Sequence, residues 1–88
     1  MKLLRVQYKP SFLRQFKKLE RALQKEAAEK IELFKNTGNH HSLDVHKLKG
    51  RLAGHMVFSI NYRYRIVFEY IDAKTVGFLA IGDHDIYK

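Results

Sequence analysis

Ile60, Tyr62, Tyr64, Ile66, Phe68 and Tyr70 stand at every second position of one stretch, "INYRYRIVFEY". Successive side chains of a strand point to opposite faces, so this period of two puts all six on one side of a sheet. The other side receives Arg63, Arg65 and Val67. Arginine fits poorly into an apolar strand unless it faces water or a charged partner. A chain built around this stretch therefore needs a cover for the aromatic face and something for two arginines to meet.

The preceding residues offer the cover. "LLRVQY" alternates Leu4, Val6 and Tyr8 with Leu3, Arg5 and Gln7, which fits a short strand. Pro10 cannot continue a ladder, and Ser11 is a good helix N-cap. Phe12, Phe16, Leu19 and Leu23 then recur at helical spacing, and Leu23, Ala27, Ile31 and Phe34 continue a helical apolar face. The opposite face, Lys25, Glu26, Glu29, Lys30, Glu32 and Lys35, reads as a solvated stripe with Glu26 and Lys30 at i,i+4. One helix, or two with a break near residues 20–22, both fit the pattern. Gly38 and Asn39 are expected to end it.

"NHHSLDVHKLKGRLAGH" reads as a polar connection with Gly50 and Gly54 as turn points. Three strand-like runs follow, at 56–60, 64–70 and 75–81, with turns at 61–63 and 72–74. Links this short predict an antiparallel three-stranded meander. The order β-α-α-β-β-β defines a single α+β domain over residues 1–88. Its N-terminal strand joins the sheet, and a helical hairpin covers one face.

Composition narrows the function. Hydrophobic residues make up 45% of 88, enough for one small core. There is no cysteine, so neither disulfides nor thiolate zinc sites hold the fold, and a cytoplasmic protein is expected. No run is apolar for long enough to span a bilayer, and Arg5 interrupts the apolar opening "MKLLRVQYKP", which reads as structure rather than a signal peptide. His40 and His41 are adjacent, which is poor ligand spacing, so neither metal nor cofactor is expected. The net charge of +8, from 17 Lys and Arg against 9 Asp and Glu, suits a polyanionic or acidic partner.

Three groups carry possible chemistry. Arg65 lies with Val67 and Glu69 on the face opposite the core stripe, and Arg63 sits at the turn. Lys47, Lys49 and Arg51 repeat at period two just upstream, and "IGDHDIYK" places His84 and Tyr87 just past the last strand. Cleaving RNA by its own 2′-hydroxyl needs a base for that proton, a cation for the pentavalent phosphorus and an acid for the leaving 5′-oxygen. Histidine serves as base or acid near neutral pH, and arginine matches phosphate with two parallel donors. The plain alternative pairs Arg63 and Arg65 with Glu69 or Asp72 as surface ion pairs and leaves His84 solvated.

"HKLKGRLAGHMVFSINYRYRIVFEY" followed by "FLAIGDHDIYK" resembles the RelE/ParE toxin superfamily of bacterial type II toxin–antitoxin systems, closest to its RelE/YoeB/YafQ branch. The resemblance spans essentially the whole chain. It implies helices on one face of the sheet and RNA on the other. It further implies a metal-independent endoribonuclease that cuts messenger RNA in the ribosomal A site and is held in check by an acidic antitoxin. The free toxin is then a monomer and the antitoxin complex a hetero-oligomer. Carried over by motif, Arg65 stabilises the transition state, His84 is the general acid and His46 in "HKLKG" the general base. Lys49 matches a basic residue of the same loop, and Tyr87 resembles a tail tyrosine. Lys47, Arg51 and Arg63 are expected as RNA or ribosome contacts. Two other readings stay open: a ParE-like gyrase-binding toxin without nuclease activity, and an inert relative that only binds its antitoxin.

Overall fold

The computed structural model describes residues 2–50 and 54–87, the side chains of His84 and Tyr87 excepted. Strand β1 (Arg5–Tyr8) leads into helices α1 (Pro10–Lys17) and α2 (Arg21–Phe34). Strands β2 (His46–Lys47), β3 (Met56–Ser59), β4 (Tyr64–Asp72) and β5 (Thr75–Asp83) follow. They form one sheet in the order β1-β5-β4-β3-β2. The expected meander β3-β4-β5 is antiparallel, and β1 joins it parallel to β5, with Arg5 opposite Thr75 and Tyr8 opposite Phe78.

The fifth strand is a correction, because β2 lies in the stretch read as a polar connection. It contributes two ladder residues, His46 opposite Val57 and Lys47 opposite Met56. Two residues are too few for an alternation signal.

The ends of the helical region differ from expectation. Lys9, in extended conformation, is the N-cap of α1 and Pro10 takes the first helical position, where its missing N–H costs nothing. Ser11 therefore lies inside the helix, and its hydroxyl donates to the Leu79 carbonyl of β5 at 2.6 Å. The helices are two, and the Gln24 side chain bridges them by donating to the Phe16 carbonyl at 2.9 Å. Helix α2 ends at Phe34, short of Gly38 and Asn39, which lie in a 3-10 turn. The chain leaves the helix because the N-terminal segment competes for it: Leu4 N–H donates to the Lys35 carbonyl at 2.7 Å, and Leu3 bridges Asn36. His40 donates from Nε2 to the Phe34 carbonyl at 2.8 Å and stacks on the Phe34 ring, which makes it a structural residue.

Phe34 sits at the centre of the core between α2 and the sheet. It is fully buried, with the rings of Phe58, Phe68 and Phe78 at 4.4, 4.8 and 5.5 Å. Ile66 and Phe68 of the period-two stripe are buried there too, whereas Tyr62 is 90% and Tyr70 45% exposed. Tyr62 falls in the turn between β3 and β4, where alternation stops, and Tyr70 lies beyond the cover that the helices give. Phe34→Ala removes the ring that four others pack around, and should lower unfolding free energy by about 3–5 kcal/mol in urea titration.

Candidate active site

Because Ile66 and Phe68 face the helices, Arg65, Val67 and Glu69 project from the other side of β4. Across the sheet Ser59 lies opposite Arg65 on β3 and Gly82 opposite it on β5. This second face is partly apolar: Leu48, Val57 and Val67 are buried on it, with Leu79, Ala80 and Ile86 packed around them.

Arg65 is half-buried. Its Nη1 donates to the Asn61 carbonyl at 2.5 Å and to the Tyr64 carbonyl at 3.2 Å. Among the described residues no acceptor takes its Nε–Nη2 edge, one of the two edges that grip a phosphate with paired donors. The ion pairs considered from sequence do not form among those residues. Asp72 instead accepts from the Lys74 N–H at 2.9 Å, and that bond, with help from Thr75, holds its carboxyl below the usual carboxylate range. Glu69 lies 3.9 Å from His55 Nε2. Arg63 is exposed at the turn, its guanidinium 5.5 Å from the centre of the Tyr64 ring.

His46 shares the Arg65 face, since the register runs His46–Val57–Val67–Ala80 across four strands. It is exposed, and Nδ1 lies 2.7 Å from the Asp44 carbonyl. A carbonyl only accepts, so Nδ1 carries the hydrogen and the neutral ring presents a bare Nε2. Asp44 reaches that position with a φ of 57°, and its carboxylate stands 3.8 Å from the same ring. Two strand spacings and two residues of rise separate His46 from Arg65, about 12 Å between Cα atoms.

Lys47 of the expected basic row does not share this face. Lys47 lies opposite Met56, which packs with the main core, so Lys47 points to the helix side. Leu48, the residue on the His46 side, is buried against Val57 and Val67. Lys49 is exposed just past the ladder, and Arg51 lies outside the described residues.

At the other end of the site, β5 delivers the chain terminus. Gly82 sits opposite Arg65, Asp83 pairs with Tyr64, and a 3-10 turn begins at His84. A Cβ on Gly82 would collide with the Ile86 side chain. Ile86 also packs with the apolar patch around Val57 and Val67, so this turn folds back onto the Arg65 face. The backbone of His84 thus lies two residues from the strand partner of Arg65; the side chains of His84 and Tyr87 are outside those described.

Two features escaped the sequence reading. His55 occupies the Arg65 face with Nδ1 buried and, among the described residues, without a partner. Its signal is the continued alternation 55, 57, 59, masked by the neighbouring Gly54. The second is the Asn61 turn. Glu26 and Lys30, read as a solvated stripe, are half-buried and reach across to that turn. No cluster of His, Asp or Glu among the described residues is fit to hold a metal ion.

No family model and no curated protein sequence matches this chain. Solved structures do. YafQ of Escherichia coli superposes with a TM-score of 0.77 at 11% identity, covering 96% of this chain and 97% of its own. A chain of the RelBE2 toxin–antitoxin complex of Mycobacterium tuberculosis gives 0.69 at 20% identity, covering 93% and 99%. The YoeB–YefM toxin–antitoxin complex of Staphylococcus aureus gives 0.70 at 20% identity, covering 92% and 97%. The chain therefore has the α+β fold of RelE-like toxins over nearly its whole length.

Proposed function

We propose that this chain is the toxin of a type II toxin–antitoxin pair and that it cuts messenger RNA on the ribosome without a metal. The observation that carries this reading is the pairing, on one sheet face, of the open guanidinium edge of Arg65 with the bare Nε2 of His46. His46 removes the 2′-hydroxyl proton, Arg65 binds the charge that develops on phosphorus, and His84 protonates the 5′-oxygen. The fold supports the assignment, since neighbours of this shape occur in toxin–antitoxin complexes.

A toxin of this charge needs an acidic antitoxin. The groove between α1 and α2, about 230 Å³ and lined by Tyr8, Phe12, Leu13, Phe16, Ala28 and Ile31 with Glu32 as its one charged residue among those described, offers a mostly apolar seat for one of its helices. Messenger and ribosomal RNA are the other partners, met by Lys49, Arg51, Arg63 and the tail Tyr87, with Lys47 as an edge contact. No helix among the described residues is long and apolar enough to cross a membrane, and the proposed setting is the cytoplasm.

Expressing the chain and mapping transcript ends, with and without ribosomes, tests the proposal. New ends confined to ribosome-bound message support it. Intact transcripts with inhibited DNA supercoiling point instead to gyrase, and intact transcripts with neither effect to an inert antitoxin-binding relative. Within the nuclease reading, Lys49→Ala should weaken ribosome binding and lower the slope of log affinity against log salt by about one. An unchanged slope removes Lys49 from the interface.

A further inference from the structure

We propose that Asn61 and Glu26 are positioning residues that aim the Arg65 guanidinium from behind, through the turn between β3 and β4. This rests on Arg65 being the phosphate-facing cation. The Asn61 side-chain oxygen accepts the Arg63 N–H at 2.9 Å and the Tyr64 N–H at 2.8 Å, which closes the turn. Its backbone carbonyl is the acceptor for Arg65 Nη1. The Asn61 side-chain amide ties the turn to α2, donating to Glu26 Oε1 at 2.8 Å, 35 residues away in sequence. One helical turn on, Lys30 Nζ donates to the Ile60 carbonyl at 2.9 Å.

Helix α2 thus grips the turn at two adjacent residues. The turn in turn holds Nη1, which leaves the Nε–Nη2 edge without an acceptor among the described residues. All three contacts are part-buried, where hydrogen bonds to charged groups contribute more than at the surface. Asn61 thus joins α2, through its side chain, to Arg65, through its carbonyl. The tie to α2 is additional to the bonds that close the turn.

The test separates these roles by single-turnover cleavage of ribosome-bound message. Asn61→Asp keeps the acceptor that closes the turn but sets carboxylate against carboxylate at Glu26. The cleavage rate should fall about tenfold with half-saturation within about twofold of wild type. Adding Glu26→Gln restores a donor and should bring the rate back to within about threefold. In an Arg65→Ala background Asn61→Asp should change the residual rate by less than about twofold, because its effect passes through Arg65.

An equal loss in both backgrounds, or no loss in Asn61→Asp while Arg65→Ala is inactive, overturns the inference and leaves the role of Arg65 intact. Wild-type cleavage by Arg65→Ala removes the reading beneath it. Thermal melts confirm folding. If Asn61→Asp does not fold, Glu26→Ala takes its place, with a fall of about threefold that again vanishes without Arg65.

Discussion

Arg65→Ala should cut the single-turnover rate on ribosome-bound message by about 10²–10³, the cost of losing one oriented charge donor in a transition state. Arg65→Lys should recover little. The guanidinium uses one nitrogen to hold two carbonyls of its own turn, and no described residue takes its Nε–Nη2 edge, the fork proposed for phosphate. An ammonium has no planar fork and cannot divide its donors this way. On the proposed mechanism binding should change far less than rate, since a transition-state contact strengthens as charge develops on phosphorus. A mutant within a few-fold of wild type would take Arg65 out of the mechanism.

The second large effect concerns the two histidines. If His46 is the base and His84 the acid, the active form holds them in opposite protonation states. Base and acid then act on the same cleavage, one taking the 2′-hydroxyl proton and the other giving a proton to the 5′-oxygen. His46→Ala and His84→Ala should each lose about 10²–10⁴ in single-turnover rate. The Asp44 carbonyl adds a check on His46, because it sets the tautomer that leaves Nε2 bare. Full activity in both mutants would strip the histidines of these roles and leave catalysis to positioning and Arg65.

Much of this architecture was legible in the residues. Alternation in β4, the helical spacing of Phe12, Phe16, Ala27, Ile31 and Phe34, and the short links between the last strands dictate an α+β layer with Arg65 facing away from the helices. What stayed hidden has physical causes. A two-residue strand such as β2 has no period to detect. Without β2 there was no register to show that Lys47 points to the helix side while His46 does not. Tyr62 keeps the alternation of its neighbours in sequence, yet the chain turns at that residue and alternation loses its meaning. Asn61 reads as ordinary turn chemistry. Only the tertiary placement of Glu26 and Lys30, on a helix face that looks solvated, shows the turn to be clamped. The helix end at Phe34 follows from competition by the N-terminal segment, which no local signal near Gly38 could reveal.

The chemistry of the cut ends tests the central claim most directly. Message cleaved in a purified translation system should be recovered and both new termini identified. Attack by the 2′-hydroxyl, assisted by His46 and stabilised by Arg65, leaves a 2′,3′-cyclic phosphate, or the 3′-phosphate from its opening, and a 5′-hydroxyl on the downstream fragment. A 5′-phosphate downstream would contradict the account, because it requires an activated water in place of the neighbouring hydroxyl.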